Sequence, residues 1–139
     1  GLGLKVNVSY DEDTSKDNGV VLKQSVDSGK TVDEGTTVTI TVNKVAETKN
    51  ATVSMNLKNI TGGYKEDDEN VAKTVNIEIR VNNEIKYTDS NIDKNKTISA
   101  QISGKGTVDI LVTITDSNGG SWTRSKSGVN LNNTSTISF

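Results

Sequence analysis

Between Val20 and Val42 the chain alternates: Val20, Leu22, Val26, Val38, Ile40 and Val42 all occupy even positions. Successive side chains on a strand point to opposite faces, so this spacing predicts two strands, each carrying one buried face. The span between them is rich in turn residues. Ser28-Gly29 and then Val32 with Gly35 divide it into two short reversals, because glycine takes positive φ at no steric cost and Val32 can tuck back toward the core. Upstream, Leu4, Val6, Val8 and Tyr10 alternate over a further strand. The acidic run Asp11-Glu12-Asp13 reads as a solvated loop, with Asp17-Asn18-Gly19 turning into the next strand.

Beyond Asn50 alternation dominates. Ala51, Val53, Met55 and Leu57 predict one strand, and Val75, Ile77, Ile79 and Val81 another. Asn82-Asn83 suits the positive φ of a two-residue hairpin turn, with Ile85 and Tyr87 on the return strand. Ile98, Ala100 and Ile102 lead into the reversal Gly104-Lys105-Gly106, after which Val108, Ile110, Val112 and Ile114 follow. The turn Asp116 to Gly120 reverses into Ser121–Ser125, where Trp122 is the largest candidate for burial, and Ile137 with Phe139 close the chain. About seven strands without a helical period predict an immunoglobulin-like antiparallel β-sandwich over 51–139. The polar stretch 45–50 reads as a linker to the unit at 1–44.

Composition narrows the chemistry. The 139 residues include neither cysteine nor histidine, which removes disulfides, the usual zinc sites and Cys/His or Ser/His nucleophile pairs. A net charge of −2 with mixed signs supplies no basic footprint for nucleic acid. One Trp, three Tyr and one Phe are too few for a stacking platform. No apolar run approaches the roughly 20 residues of a membrane-spanning helix, so any membrane association is expected to come only through a parent chain.

Gln24, Gly29, Val32 and Gly35, followed by Thr37-Val38-Thr39-Ile40-Thr41-Val42, resemble the second half of a PASTA domain. That module is the extracellular repeat of bacterial penicillin-binding proteins and membrane serine/threonine kinases. Gly3-Leu4-Lys5-Val6 is similar to the strand that follows the module's single helix, and the resemblance covers roughly the first third of the chain. Family members often place proline two residues after the glutamine, where this sequence has Val26. The resemblance implies that a first strand and helix precede this segment, so that Leu4, Val6 and Val8 lack their cover and drive self-association or docking. A PASTA unit followed by an immunoglobulin-like tail is also the order found in certain kinases of Gram-positive bacteria. The resemblance therefore implies a non-catalytic ectodomain that recognises peptidoglycan fragments (muropeptides). The kinase itself would lie elsewhere in the parent, since this sequence has no Gly-rich loop or catalytic Asp motif. A penicillin-binding protein is the alternative parent, and a structural cap or spacer without a ligand is the alternative role.

On that reading the binding residues are Gln24, Ser25, Ser28 and Lys30, gathered around the turns. Their amide, hydroxyl and ammonium groups suit a peptide bearing carboxylates and amides. Gln24 can equally satisfy backbone groups of its own turn. No cofactor, metal or catalytic residue is expected. Asp11 and Asp13 lack the further oxygen ligands of a calcium loop. The run Lys65-Glu66-Asp67-Asp68-Glu69-Asn70 reads as a solvated loop, and Lys73, Lys86, Lys94, Lys96 and Lys105 as solubilising charges at strand edges. Trp122 reads as core with Arg124 capping its edge, against a sugar platform made by the pair. An isopeptide bond from Lys58 to Asn132 or Asn133 is disfavoured, because all three stand at element ends.

Overall fold

A computed structural model describes residues 2–139, and these fall into two compact units, one up to Ala46 and the other Glu47–Phe139. The first unit is a three-stranded sheet of β1 (Lys5–Asp11), β2 (Val21–Gln24) and β3 (Thr37–Asn43), in the order β1-β3-β2. β1 runs parallel to β3, so Val6, Val8 and Tyr10 lie beside Val38, Ile40 and Val42 on one face. β2 is antiparallel to β3, with an irregularity between Val21 and Lys23.

The even face of this sheet is apolar, yet it is not the buried one. Val6 is 65% exposed, Val8 45% and Tyr10 64%, while Leu4, Val38, Ile40 and Val42 are only half-buried. The buried side chains of the unit are polar and lie on the odd face: Thr41 and Asn43. The expectation of buried apolar faces on both strands is thus corrected. Alternation selects a face, but burial needs a second layer, which the three strands of this unit do not themselves supply. The odd face is instead closed by hydrogen bonds. Thr41 pairs with Ser9 at 2.9 Å, and Asn43 holds the loop between β1 and β2.

The second unit contains β4 (Thr48–Asn56), α1 (Leu57–Thr61), β5 (Thr74–Val81), β6 (Glu84–Asp93), β7 (Thr97–Lys105), β8 (Thr107–Thr115), β9 (Ser121–Asn130) and β10 (Thr136–Ser138). β4 begins within the span read as a linker. One sheet has the order β10-β4-β7 and the other β6-β5-β8-β9. The pairs β4–β7, β5–β8 and β8–β9 follow an immunoglobulin-like arrangement, with β10 added parallel to β4 at an edge. Inward residues interleave as the alternation requires: Ala51, Val53, Met55, Ala100, Ile102 and Ile137 from one sheet, and Val75, Ile77, Ile79, Val81, Val108, Ile110, Val112 and Ile114 from the other. Asn82 and Asn83 carry φ of 50° and 67°, as the hairpin between β5 and β6 demands. α1 departs from the sequence reading: Asn56 accepts from the Asn59 amide to cap it, and Gly62 ends it at φ 84°.

Candidate functional site

The predicted binding residues lie where β2 runs into its turn. Gln24 ends the strand, and its Nε2 donates to the Val26 carbonyl at 2.7 Å, closing a loop on its own backbone. Ser25 continues the ladder. Its amide donates to the Thr39 carbonyl, and its Oγ accepts from the Thr39 amide, both at 2.9 Å. Ser28 and Lys30 are exposed on the turn that the Lys30 amide closes onto the Asp27 carbonyl, with Gly29 at φ 80°. The second reversal is closed by the Thr36 amide and hydroxyl, which both donate to the Asp33 carbonyl. Val26 and Val32 are half-buried beneath these turns.

The four residues therefore fall into two pairs. Gln24 is engaged with its own turn and Ser25 with the Thr39 backbone on β3, which leaves Gln24 its amide oxygen and second amide hydrogen, and Ser25 its hydroxyl hydrogen, for a ligand. Ser28 and Lys30 present a hydroxyl and an ammonium to solvent. Among the described residues, no hydrogen bond joins the side chains of the four to one another.

The residue missed by sequence reasoning is Asn43. Its Nδ2 donates toward the carbonyls of Asp13 at 2.9 Å, Lys16 at 2.8 Å and Asp17 at 3.0 Å, while its Oδ1 accepts from the Asp13 amide at 2.8 Å. The three carbonyls of the acidic loop thus converge on an amide nitrogen. The Asp13 carboxylate turns to Ser15, whose hydroxyl lies 2.5 Å away, and this hydrogen bond holds its pKa below the usual carboxylate value. A hint was in the sequence: one asparagine ends a strand whose other odd positions are threonine.

In the second unit Lys94 is the side chain whose placement the sequence reading misjudged. It is buried, not an edge charge: its Nζ lies 2.5 Å from Asp116 Oδ2 and 4.9 Å from the centre of the Trp122 ring. Asp116 Oδ1 accepts from the Gly120 amide at 2.7 Å and from the Asn118 amide at 3.0 Å. The Lys94 contact, reinforced by these amides, holds the Asp116 carboxyl below its ordinary pKa. Gly120 is required by close approach, since a Cβ there would strike Trp122 and Asp116.

Trp122 is half-buried against the core cluster, and Arg124 beyond it is exposed, which favours the core role over a sugar platform. Lys58, Asn132 and Asn133 are all exposed and so lack the burial that an isopeptide bond needs. The acidic loop Lys65–Asn70 lines an open groove and is tied to the β8–β9 turn by Asn118 Nδ2, which donates to the Asn70 carbonyl at 3.0 Å. Among the described residues no helix is long and apolar enough to cross a membrane, and no Asp/Glu group is arranged to hold a metal ion.

No curated protein matches the chain. Among solved structures, it is similar to one described as "X-ray structural studies of the entire extra-cellular region of the Ser/Thr kinase PrkC from Staphylococcus aureus". The identity is 20% over 92% of this chain and 44% of that one, with a TM-score of 0.33, so the chain spans less than half of that structure's length. The family comparison falls on the strand–turn–strand unit described above: residues 1–44 match the PASTA domain.

Proposed function

We propose that this chain is a non-enzymatic extracellular module of a bacterial membrane serine/threonine kinase, recognising peptidoglycan fragments and coupling the state of the cell wall to the kinase. The observation that carries this reading is the PASTA match over residues 1–44, supported by the immunoglobulin-like unit that follows it. The exposed Ser28 and Lys30, beside the remaining hydrogen-bonding capacity of Gln24 and Ser25, supply groups suited to the carboxylates and amides of a stem peptide. An amide chemical-shift titration with defined muropeptides is expected to move signals between Gln24 and Lys30. Lys30→Ala is expected to weaken that binding about tenfold, the size of a lost charge-assisted hydrogen bond. Saturating ligand without shifts in this span rejects the reading.

The rival role of structural cap or spacer draws on one specific observation. Gln24 already serves the backbone of its own turn and Ser25 that of Thr39 on β3, which is what a purely architectural turn requires. Unchanged spectra with muropeptides favour it.

The exposed Val6, Val8 and Tyr10 face supports a further part of the proposal, self-association through the first unit's sheet. Sedimentation of the chain is expected to show association that grows with concentration. Val6→Ser combined with Val8→Ser is expected to weaken it about tenfold or more, since each substitution removes a large exposed apolar side chain from the contact. A monomer at millimolar concentration counts against this part alone.

A further inference from the structure

The dipeptide Asn-Gly occurs twice in the chain, at Asn18-Gly19 and Asn118-Gly119, and the fold engages the two glycine amides differently. Asparagine is thermolabile because the following amide nitrogen can attack its side chain, and glycine offers that nitrogen the least hindrance. The Gly19 amide is committed. It donates to the Asn43 carbonyl at 2.8 Å, next to the bond from the Asn43 amide to the Val20 carbonyl at 2.7 Å. Each carboxamide has one anchor, Asn18 Oδ1 accepting from the Val45 amide at 3.2 Å and Asn118 Nδ2 donating to the Asn70 carbonyl at 3.0 Å, so the difference between the two sites lies in the glycine amide. The Gly119 amide has only a 3.4 Å contact with the Asp116 carbonyl, in an exposed turn.

We infer that Asn118 is a site of spontaneous deamidation in the folded protein, while Asn18, with the same sequence signal, is protected. Solvent hydroxide removes the Gly119 amide proton, and the nitrogen attacks Asn118 Cγ. A C–N bond forms, the Cγ–Nδ2 bond breaks, and ammonia departs with a proton from water. Water then opens the cyclic imide at one of its two carbonyls, leaving aspartate or isoaspartate. Either product loses the Nδ2 donor that ties Asn118 to the Asn70 carbonyl. Isoaspartate also lengthens the backbone between the Asn118 and Gly120 amides, the pair that grips Asp116. Ageing at this turn therefore loosens the setting of the buried Lys94–Asp116 contact.

The test is incubation of the intact chain at mildly alkaline pH, once in native buffer and once in concentrated urea, followed by tryptic mapping. The two asparagines fall on separate peptides, Gly106–Arg124 and Asp17–Lys23, each with a single asparagine. In native buffer Gly106–Arg124 is expected to gain about one dalton at least fivefold faster than Asp17–Lys23, the factor set by one backbone hydrogen bond. In urea the two rates are expected to converge. Equal or reversed rates in the native protein overturn the inference. It is equally overturned if the same difference persists in urea, which would assign it to neighbouring sequence, or if Gly106–Arg124 stays unmodified in native buffer while the urea sample converts.

Discussion

Lys94→Met is expected to lower the melting temperature of the Glu47–Phe139 unit by more than about 10 °C, the scale of stripping one partner from a buried ion pair in a domain of this size. The side chains of Lys94 and Asp116 are 7% and 4% exposed, and their charged atoms lie 2.5 Å apart. Methionine keeps most of the lysine stem against the Trp122 ring, so the substitution removes charge with little change in volume. What remains is an Asp116 carboxylate with two backbone donors and no counter-charge. Adding Asp116→Asn is expected to recover much of the loss, because the asparagine oxygen can still accept from Asn118 and Gly120 while the unpaired charge is gone.

The pair also sets an acid limit. The folded-state pKa of Asp116 is depressed below the unfolded value, so its contribution is complete above the unfolded pKa. It is lost as pH falls through the carboxylate range, below about 4. Calorimetry between neutral and acid pH is expected to show a steeper loss for the native sequence than for Lys94→Met. A single variant that melts within about 2 °C of the parent would show that the pair contributes little.

What the sequence disclosed and what it concealed differ by the range of the interaction. Strands β5 and β8 were legible because Val75 to Val81 and Val108 to Ile114 keep strict alternation, and the Asn82-Asn83 turn is a local matter of backbone φ. α1 was missed, because Leu57 continues the alternation of the strand before it and five residues are too few to establish a helical period. Lys94 looked like one scattered lysine among several, because its burial depends on Asp116 and Trp122, which approach it only when β6, β8 and β9 lie in one sheet. In the first unit, alternation identified the apolar face without saying whether a layer covers it. At the turns, the bond of Gln24 to its own backbone was an alternative the sequence already offered, whereas the bond from the Thr39 amide to Ser25 Oγ follows from the pairing of β2 with β3.

The second large effect is expected at Asn43. Small units bury a limited share of their surface, and the buried side chains of this one are Thr41 and Asn43. Its stability therefore depends heavily on polar closure. Asn43→Ala deletes the donor that gathers the Asp13, Lys16 and Asp17 carbonyls and the acceptor of the Asp13 amide. These hydrogen bonds are part-buried and each is worth about 0.5–1.5 kcal/mol, so the substitution is expected to cost about 3 kcal/mol in all and to leave the amide signals between Lys5 and Asn43 poorly dispersed. Asn43→Asp separates donor loss from volume loss. It is nearly isosteric and keeps an acceptor for the Asp13 amide, but turns a negative oxygen toward three carbonyls. It is expected to be at least as damaging as alanine. A well-dispersed spectrum for Asn43→Asp, with the amides of Asp13 to Gly19 at their native positions, would show that strand pairing alone holds this loop.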